Sequence, residues 1–424
     1  MNAYDSEVIE DILCNIGYSK AISSDESDII VLNTCCIRDN ADQKIYGRLW
    51  EYRKLKEKKP DIIIAVLGCL AQKDKEALLK KFPHVNIVLG PSNLKDLEDS
   101  INEISQRKKD KASNFDLDDS SWQLNAKRKS TISALIPIST GCNCNCSYCI
   151  VPSVRGRLRS IPFDTIIKRA EESARKGYKE IMLLGQNVNN YGQDLNENIN
   201  FVSILKKVNE IDGIERIRFM SPNPRDFKNE YIDEITELKK VCPHIHLPLQ
   251  SGDDNILSKM NRGYDTERYY DIVLRLRDKI PHIAITTDVI VGYPGETRQE
   301  FENTLKFYDK VKFDSAFMFC YSPRTGTRSS LVTENLTVEE KLKRLYELTE
   351  LQTEISIENN RKYKNRILEV ITEEVSKKDP EKLSGRSSCH KKVVFNGNSK
   401  LLGKTVCVKV EKTFSWGFEG KLTD

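Results

Sequence analysis

Ala134-Leu135-Ile136-Pro137-Ile138-Ser139-Thr140-Gly141-Cys142-Asn143-Cys144-Asn145-Cys146-Ser147-Tyr148-Cys149 joins a short apolar run to a loop crowded with thiols. An apolar run of this length, closed by turn residues, reads as a buried strand. Cys142, Cys146 and Cys149 have the spacing C-x3-C-x2-C. Three soft thiolates on one short loop can hold a cubane iron–sulfur cluster and leave its fourth iron without a protein ligand. An open iron is a place for a substrate or cofactor, which points to redox catalysis. A disulfide framework does not fit, because 12 cysteines in 424 residues are too sparse for a stapled scaffold. A structural zinc site is the serious rival, since Cys144 supplies a fourth thiol. Such sites usually pair two arms separated by a longer loop, and here all four thiols crowd into one segment.

Working outward, strand and helix patterns alternate on both sides of this loop. Upstream, 29–32, 62–67 and 86–89 read as buried parallel strands, with amphipathic stretches at 8–16, 43–56 and 75–81 as crossover helices. Residues 1–105 therefore read as a doubly wound α/β domain. Residues 106–129 are polar, charged and aperiodic, and read as a linker. Downstream, strands are expected at 134–138, 180–184, 216–220, 244–249, 284–291 and 315–320, with helices between them. Six such units over 130–360 predict a partial TIM-like (β/α)6 barrel, whose chemistry sits at the C-terminal strand ends. The cysteine run follows the first of those strands and so lands on that face. Residues 361–424 carry strand patterns at 367–372, 392–395 and 405–410 and read as a small β-barrel.

Composition bounds the function. No apolar stretch is long enough to span a bilayer, and the first residues lack a signal-peptide pattern. Twelve thiols without an export signal indicate a cytoplasmic protein. The net charge is +4, but Arg361–Asp424 holds fifteen Lys/Arg against eight Asp/Glu, leaving the rest at about −3. A basic terminal module suggests a polyanionic partner; simple solvation of the tail is the alternative.

The cysteine loop, with Tyr148 before its last thiol, resembles the signature of the radical S-adenosylmethionine (SAM) superfamily. The segments 150–157, Leu184-Gly185-Gln186-Asn187-Val188-Asn189, Pro224-Arg225-Asp226-Phe227, His246-Leu247-Pro248-Leu249-Gln250-Ser251-Gly252, Met260-Asn261-Arg262-Gly263-Tyr264 and Val291-Gly292-Tyr293-Pro294-Gly295-Glu296-Thr297 narrow it. Together they resemble the methylthiotransferase family, most closely its MiaB branch, which acts on tRNA. The branches that act on threonylcarbamoyl-adenosine or on a ribosomal protein are the enzymatic alternatives. A non-catalytic, zinc-stabilised RNA-binding protein is the alternative of another class.

The resemblance implies two iron–sulfur clusters. Cys142, Cys146 and Cys149 would hold a [4Fe–4S] cluster whose open iron binds SAM. Cys35 and Cys69, each directly after a predicted strand, would hold a second cluster in the N-terminal domain. Family members carry a further strand ending in Cys-Gln-Met-Asn before the segment matched by Asp5-Ser6-Glu7. The sequence begins instead with Met1-Asn2, so that strand and a third cysteine are not matched. Cys14 and Cys36 are poor substitutes, one inside a helix and the other adjacent to Cys35, and a labile or absent second cluster is expected.

For SAM the resemblance and the strand ends point to Tyr148, Gly185, Gln186, Asn187, Arg225, Gln250, Ser251 and Gly292. Glycine lets backbone come close, amides offer donors and acceptors, and an arginine can fork a carboxylate. Loop packing for Tyr148 and pairing with Asp226 for Arg225 are the simpler readings. The basic tail resembles a TRAM domain, an RNA-binding barrel. Lys391, Lys392, Lys400, Lys404 and Lys409 would track phosphates, and Phe414 or Trp416 could stack a base, while Phe395 reads as core. The implied partners are the anticodon loop of tRNA and a reducing donor such as flavodoxin or ferredoxin, with no membrane and a monomeric chain.

Overall fold

The computed structural model describes every residue except 37–38, 118–120, 125, 129, 131, 377–378 and 424. The chain divides into two compact units, one of residues 1–129, 139–144 and 149–161 and the other of 130–138, 145–148 and 162–424.

The first unit is built on a four-stranded parallel sheet in the order β1 (Ile29–Thr34), β2 (Ile63–Gly68), β3 (Ile87–Leu89) and β4 (Ala112–Asn114). Its helices are α1 (Asn2–Asn15), α2 (Asp39–Lys58), α3 (Cys69–Asp74), α4 (Glu76–Lys81) and α5 (Leu97–Ser105). Every residue of β2 is buried, which explains its unbroken apolar run. Leu49, Ile64, Val66, Leu78, Phe82 and Val88 form one core there. The stretch 106–129 is not purely a linker, because β4 lies inside it and pairs with β3. Its Ala112-Ser113-Asn114 sequence has none of the β-branched apolar residues that mark a strand, and three residues give no periodicity to read. Residues 118–120, 125 and 129 of that stretch lie outside the described residues.

After β5 (Ser133–Pro137), a short antiparallel ribbon of β6 (Ser139–Thr140) and β7 (Arg159–Ser160) frames the cysteine loop and α6 (Val151–Arg155). In the second unit, β5 pairs in parallel with β8 (Glu180–Leu184), and β8 with β9 (Arg216–Phe219). A second parallel set follows, β10 (His244–His246), β11 (Ala284–Val291) and β12 (Ser315–Cys320). A parallel bridge from Ile217 to Val241 links the two sets. The six strands thus run in chain order with helices between them, the partial barrel expected from the sequence. The intervening helices are α7 (Phe163–Arg175), α8 (Phe201–Asn209), α9 (Asn229–Thr236), α10 (Asp254–Lys259), α11 (Thr266–Lys279) and α12 (Arg298–Val311).

Helix α13 (Val338–Arg361) begins with a capping box, Thr337 Oγ1 accepting from Glu340 N while the Glu340 carboxylate accepts from Thr337 N. It leads into a closed five-stranded barrel ordered β13 (Ile367–Val375), β14 (Lys382–Ser387), β15 (Lys392–Asn396), β17 (Gly417–Leu422), β16 (Thr405–Phe414). Val370, Leu383, Val393, Phe395, Val408, Val410 and Phe418 fill it. Closure leaves no open sheet edge.

Two buried arginines fasten this barrel to the starts of the parallel strands. Arg216 donates to the carbonyls of Arg386 (2.8 Å) and Glu369 (3.0 Å). Arg218 pairs with Glu180 (2.7 Å) and donates to Ser387 O (2.9 Å). Among the described residues no helix is long and apolar enough to cross a membrane.

Candidate cofactor sites at the strand ends

In the first unit, β1 and β2 are in register with Thr34 opposite Gly68. The next residues, Cys35 and Cys69, therefore leave the same sheet edge side by side. Gly68 makes this exit possible: its φ is +96°, and a Cβ there would stand 2.5 Å from Thr34 O. Thr34 Oγ1 donates to Leu67 O (2.6 Å) and accepts from Leu70 N (3.2 Å), closing the first turn of α3 against β1. Cys36, discounted from sequence because it adjoins Cys35, is fully buried and shares a hydrogen bond with Cys69. Beyond the end of β1 the strand alternation stops, so neighbouring residues no longer face opposite ways. Both thiols pack with Leu70, Ile150 and Val154. The bond from Cys36, against burial, and the Arg155 guanidinium hold the Cys69 thiol below its ordinary range. The same bond and burial push Cys36 up. Arg155 is itself buried and pairs with Asp5 at 2.5 Å. Cys14 lies elsewhere, on α1, where Lys127 Nζ approaches its sulfur at 3.2 Å.

The cysteine loop starts from Gly141, whose φ is +70° and whose Cα faces Arg157 O so closely that a Cβ would sit 2.0 Å from it. Cys142 N donates to Gly156 O (3.1 Å), and Asn143 Oδ1 accepts from Leu158 N (3.0 Å). Cys144 is buried, and its amide donates to Cys142 Sγ at 3.4 Å. A hydrogen bond with the Cys144 thiol, then burial, raises the Cys142 thiol above its ordinary range, against the lowering effect of the Cys144 amide. Cys142, Cys146 and Cys149 are each partly exposed. Among the described residues no three His, Cys, Asp or Glu side chains are gathered as a single-ion site needs.

In the second unit, Cys146 Sγ accepts from Arg262 Nη1 at 3.2 Å. Ser147 is gripped on both faces: its hydroxyl meets Tyr293 OH (2.8 Å) and donates to Lys259 O (2.8 Å), and its carbonyl accepts from Ser329 N (2.8 Å). Tyr148 packs against Ile256, Met260, Tyr293 and Tyr321.

The other expected residues follow strand ends. Gly185, Gln186 and Asn187 come after β8. Gln186 Oε1 is buried with no hydrogen-bond partner among the described residues, an acceptor whose satisfaction calls for a ligand or water. Asn187 Nδ2 donates to Asp226 Oδ2 (2.9 Å). Arg225 forks Asp226 through Nε (2.9 Å) and Nη2 (3.0 Å), the local pairing that its sequence already allowed. Gln250 is buried with φ +73°, pinned between Asp288 O and Ile290 N. Ser251 is buried and bonded to Thr304, and its hydroxyl accepts from Asp253 N, so it shapes the turn. Gly292 follows β11, and its amide donates to the buried Glu296 carboxylate (2.8 Å), which Arg344 of α13 holds in turn (2.5 Å).

On the C-terminal barrel, Lys392, Lys400, Lys404 and Lys409 are exposed. Lys391 is not: it is buried and paired with Asp314 at 2.7 Å, which corrects its expected place on a phosphate-tracking face. One residue separates its fate from that of Lys392, because the tight turn before β15 sends the two in opposite directions. Trp416 is half exposed and stacks on Phe414 with centroids 5.1 Å apart.

Comparison with known proteins agrees with this architecture. Residues 136–308 match the radical SAM superfamily, 1–90 an uncharacterized family designated UPF0004, and 361–423 the TRAM domain. The tRNA-2-methylthio-N(6)-dimethylallyladenosine synthase of Clostridium tetani is 45% identical, covering 99% of this chain and 94% of that one. Those of Natranaerobius thermophilus and Moorella thermoacetica are each 42% identical over 100% of this chain, and 94% and 96% of theirs.

The chain belongs to the tRNA-2-methylthio-N(6)-dimethylallyladenosine synthase family.

Among solved structures, the radical SAM methyltransferase TsrM from Kitasatospora setae, with cobalamin and a [4Fe–4S] cluster bound, shares the fold at TM-score 0.57. It is 15% identical, with 77% of this chain and 73% of that one covered. Its complex with tryptophan and a SAM analogue gives TM-score 0.56 at 14% identity, covering 75% and 69%. Membership of the synthase family makes this a radical SAM enzyme of the methylthiotransferase kind, with [4Fe–4S] clusters and SAM as its cofactors. Arg262, Ser147, Tyr293, Glu296 and Arg344 had no assigned role from sequence, although the first four lie in the quoted segments. Nothing in a linear sequence shows that an arginine is buried or which sulfur it faces.

Proposed function

We propose that this chain replaces the C2 hydrogen of N6-isopentenyladenosine, beside the tRNA anticodon, with a methylthio group. The observation that carries the reading is the C-x3-C-x2-C loop after the first barrel strand, in a chain matching named tRNA methylthiotransferases along 99% of its length. Cys142, Cys146 and Cys149, from one eight-residue loop, are the thiolates that would hold the SAM-binding cluster. When bound, the cluster and SAM supply an electron and an adenosyl radical, the chemistry needed to take hydrogen from an unactivated carbon. Acid–base groups would be of little use there.

The chain's own residues hold, orient and shield. The donor set fits: Cys146 Sγ already faces a buried cation, and the orphaned Oε1 of Gln186 follows the neighbouring strand. Gly185, Gln186, Asn187, Gln250 and Gly292 offer backbone and amide groups to SAM. Tyr148 lines the same end of the barrel through its packing on Met260 and Tyr293. Ser251 and Arg225 act through the turns they fix. In the first unit, Cys35 and Cys69 would hold the second cluster, and Cys36, hydrogen-bonded to Cys69, is a further thiol beside them. Lys392, Lys400, Lys404 and Lys409 would follow tRNA phosphates, with Trp416 on Phe414 available to a base. The target adenine must leave its stack to reach the radical. A flavodoxin- or ferredoxin-type donor, a monomeric state and a cytoplasmic location complete the proposal.

Iron, acid-labile sulfide and visible absorbance of anaerobically purified protein test the class. Iron with matching sulfide and a broad charge-transfer band is expected. One zinc and no labile sulfide would replace this reading with a zinc-stabilised RNA-binding protein.

A further inference from the structure

A guanidinium taken out of water needs a negative charge or a full set of acceptors. Arg262 is only 6% exposed. Among the described residues it meets no carboxylate. Its Nε donates to Tyr264 OH (3.1 Å), its Nη2 to Pro248 O (3.4 Å), and its Nη1 to Cys146 Sγ (3.2 Å). The titratable groups that act on it are the phenols of Tyr148 and Tyr264, which are neutral at physiological pH, and the Cys146 thiol. Two of its contacts are therefore neutral oxygens, and the third is a sulfur that becomes anionic when it binds a metal.

We propose that Arg262 is the counter-charge of the Cys146 thiolate and, through that hydrogen bond, sets how readily the cluster accepts an electron. The inference rests on the reading of Cys142, Cys146 and Cys149 as cluster ligands. Each added electron makes the thiolate-bound cluster more negative, and a fixed cation beside one ligand sulfur favours that state. Hydrogen bonds to ligating sulfur and local charge are established levers on cluster potential. Burial keeps the interaction from being screened by water.

The geometry explains why this is an arginine. Tyr264 OH lies within hydrogen-bond reach of Pro248 O (3.1 Å) and Leu249 O (2.7 Å), so it is itself fixed. The Tyr264 and Pro248 contacts clamp the guanidinium plane and leave Nη1 aimed at the sulfur. A lysine has one nitrogen and could not make the three contacts together. The Met260–Tyr264 and His246–Gly252 segments, which flank α10, thus meet at one side chain.

The test is an EPR-monitored reductive titration of the full-length, cluster-loaded protein, reading the signal that SAM perturbs. Arg262→Met and Arg262→Gln should load iron and shift the reduction equilibrium at least tenfold toward the oxidised cluster, ~59 mV for one electron. Arg262→Lys should recover part of the shift. A wild-type midpoint in either loaded neutral variant overturns the proposal. If neither neutral variant retains iron, loading by Arg262→Lys alone supports it, because charge is then what the site requires. Failure of all three assigns a purely structural role and also overturns it. If the wild-type protein itself shows no SAM-perturbed signal, the assignment of the cysteine loop has failed instead.

Discussion

Single residues divide cleanly into those that hold a group and those that hold another residue. On the proposed reading, Cys146 is of the first kind. Cys146→Ser is expected to lose reductive SAM cleavage to background, measured as 5′-deoxyadenosine by chromatography. Lys391 and its neighbours separate the two kinds on one barrel. Lys404→Glu with Lys409→Glu should weaken tRNA binding and flatten its salt dependence, because exposed lysines release counterions from phosphate. Lys391→Ala should leave that salt slope unchanged and lower the melting temperature instead, since it strands Asp314, whose side chain is 11% exposed. Fluorescence titration at several salt concentrations, beside a thermal scan, distinguishes the two outcomes.

Elements were legible where they were long and patterned. The eight residues of β11 and the six of β12 fall where alternation and apolar runs place them. Strands β14 and β17 were missed: Lys382-Leu383-Ser384-Gly385-Arg386-Ser387 and Gly417-Phe418-Glu419-Gly420-Lys421-Leu422 carry one or two apolar residues each. Barrel closure, rather than propensity, makes them strands. The start of helix α13 is written in the sequence as Thr337 with Glu340 three residues on. Its role was not legible, because Arg344 reaches Glu296 only in three dimensions. Thr337→Ala should cost about 1 kcal/mol by denaturant unfolding, the usual worth of such a cap.

Across the whole molecule, the place of the thiol loop after the first barrel strand could be read because an apolar run closed by turn residues marks a strand end. Its electrostatics could not, because burial is a property of the fold. The same holds at the barrel's attachment. His390 stacks on His244 with centroids 4.7 Å apart and accepts Arg386 Nη1 at 3.0 Å. Burial first, then Arg218 and Arg386, hold its imidazole down to about 3 from an ordinary 6.5. The folded protein therefore keeps His390 neutral where the unfolded chain would protonate it. Its contribution to stability is complete above about pH 6.5 and is lost progressively as pH falls toward 3. Melting temperature should fall between pH 7 and pH 5, and His390→Gln should show a shallower slope over that range. An identical slope would remove His390 from the account.

The claim that joins these scales is that the thiol loop, the strand ends and the basic barrel serve one reaction on tRNA. Mass spectrometry of nucleosides from bulk tRNA, comparing cells with and without this gene, tests it most directly. The account predicts that 2-methylthio-N6-isopentenyladenosine disappears from the deletion strain while N6-isopentenyladenosine accumulates. Unchanged 2-methylthio-N6-isopentenyladenosine would contradict it, and loss of a methylthio group from threonylcarbamoyl-adenosine or a ribosomal protein instead would move the same chemistry to another substrate.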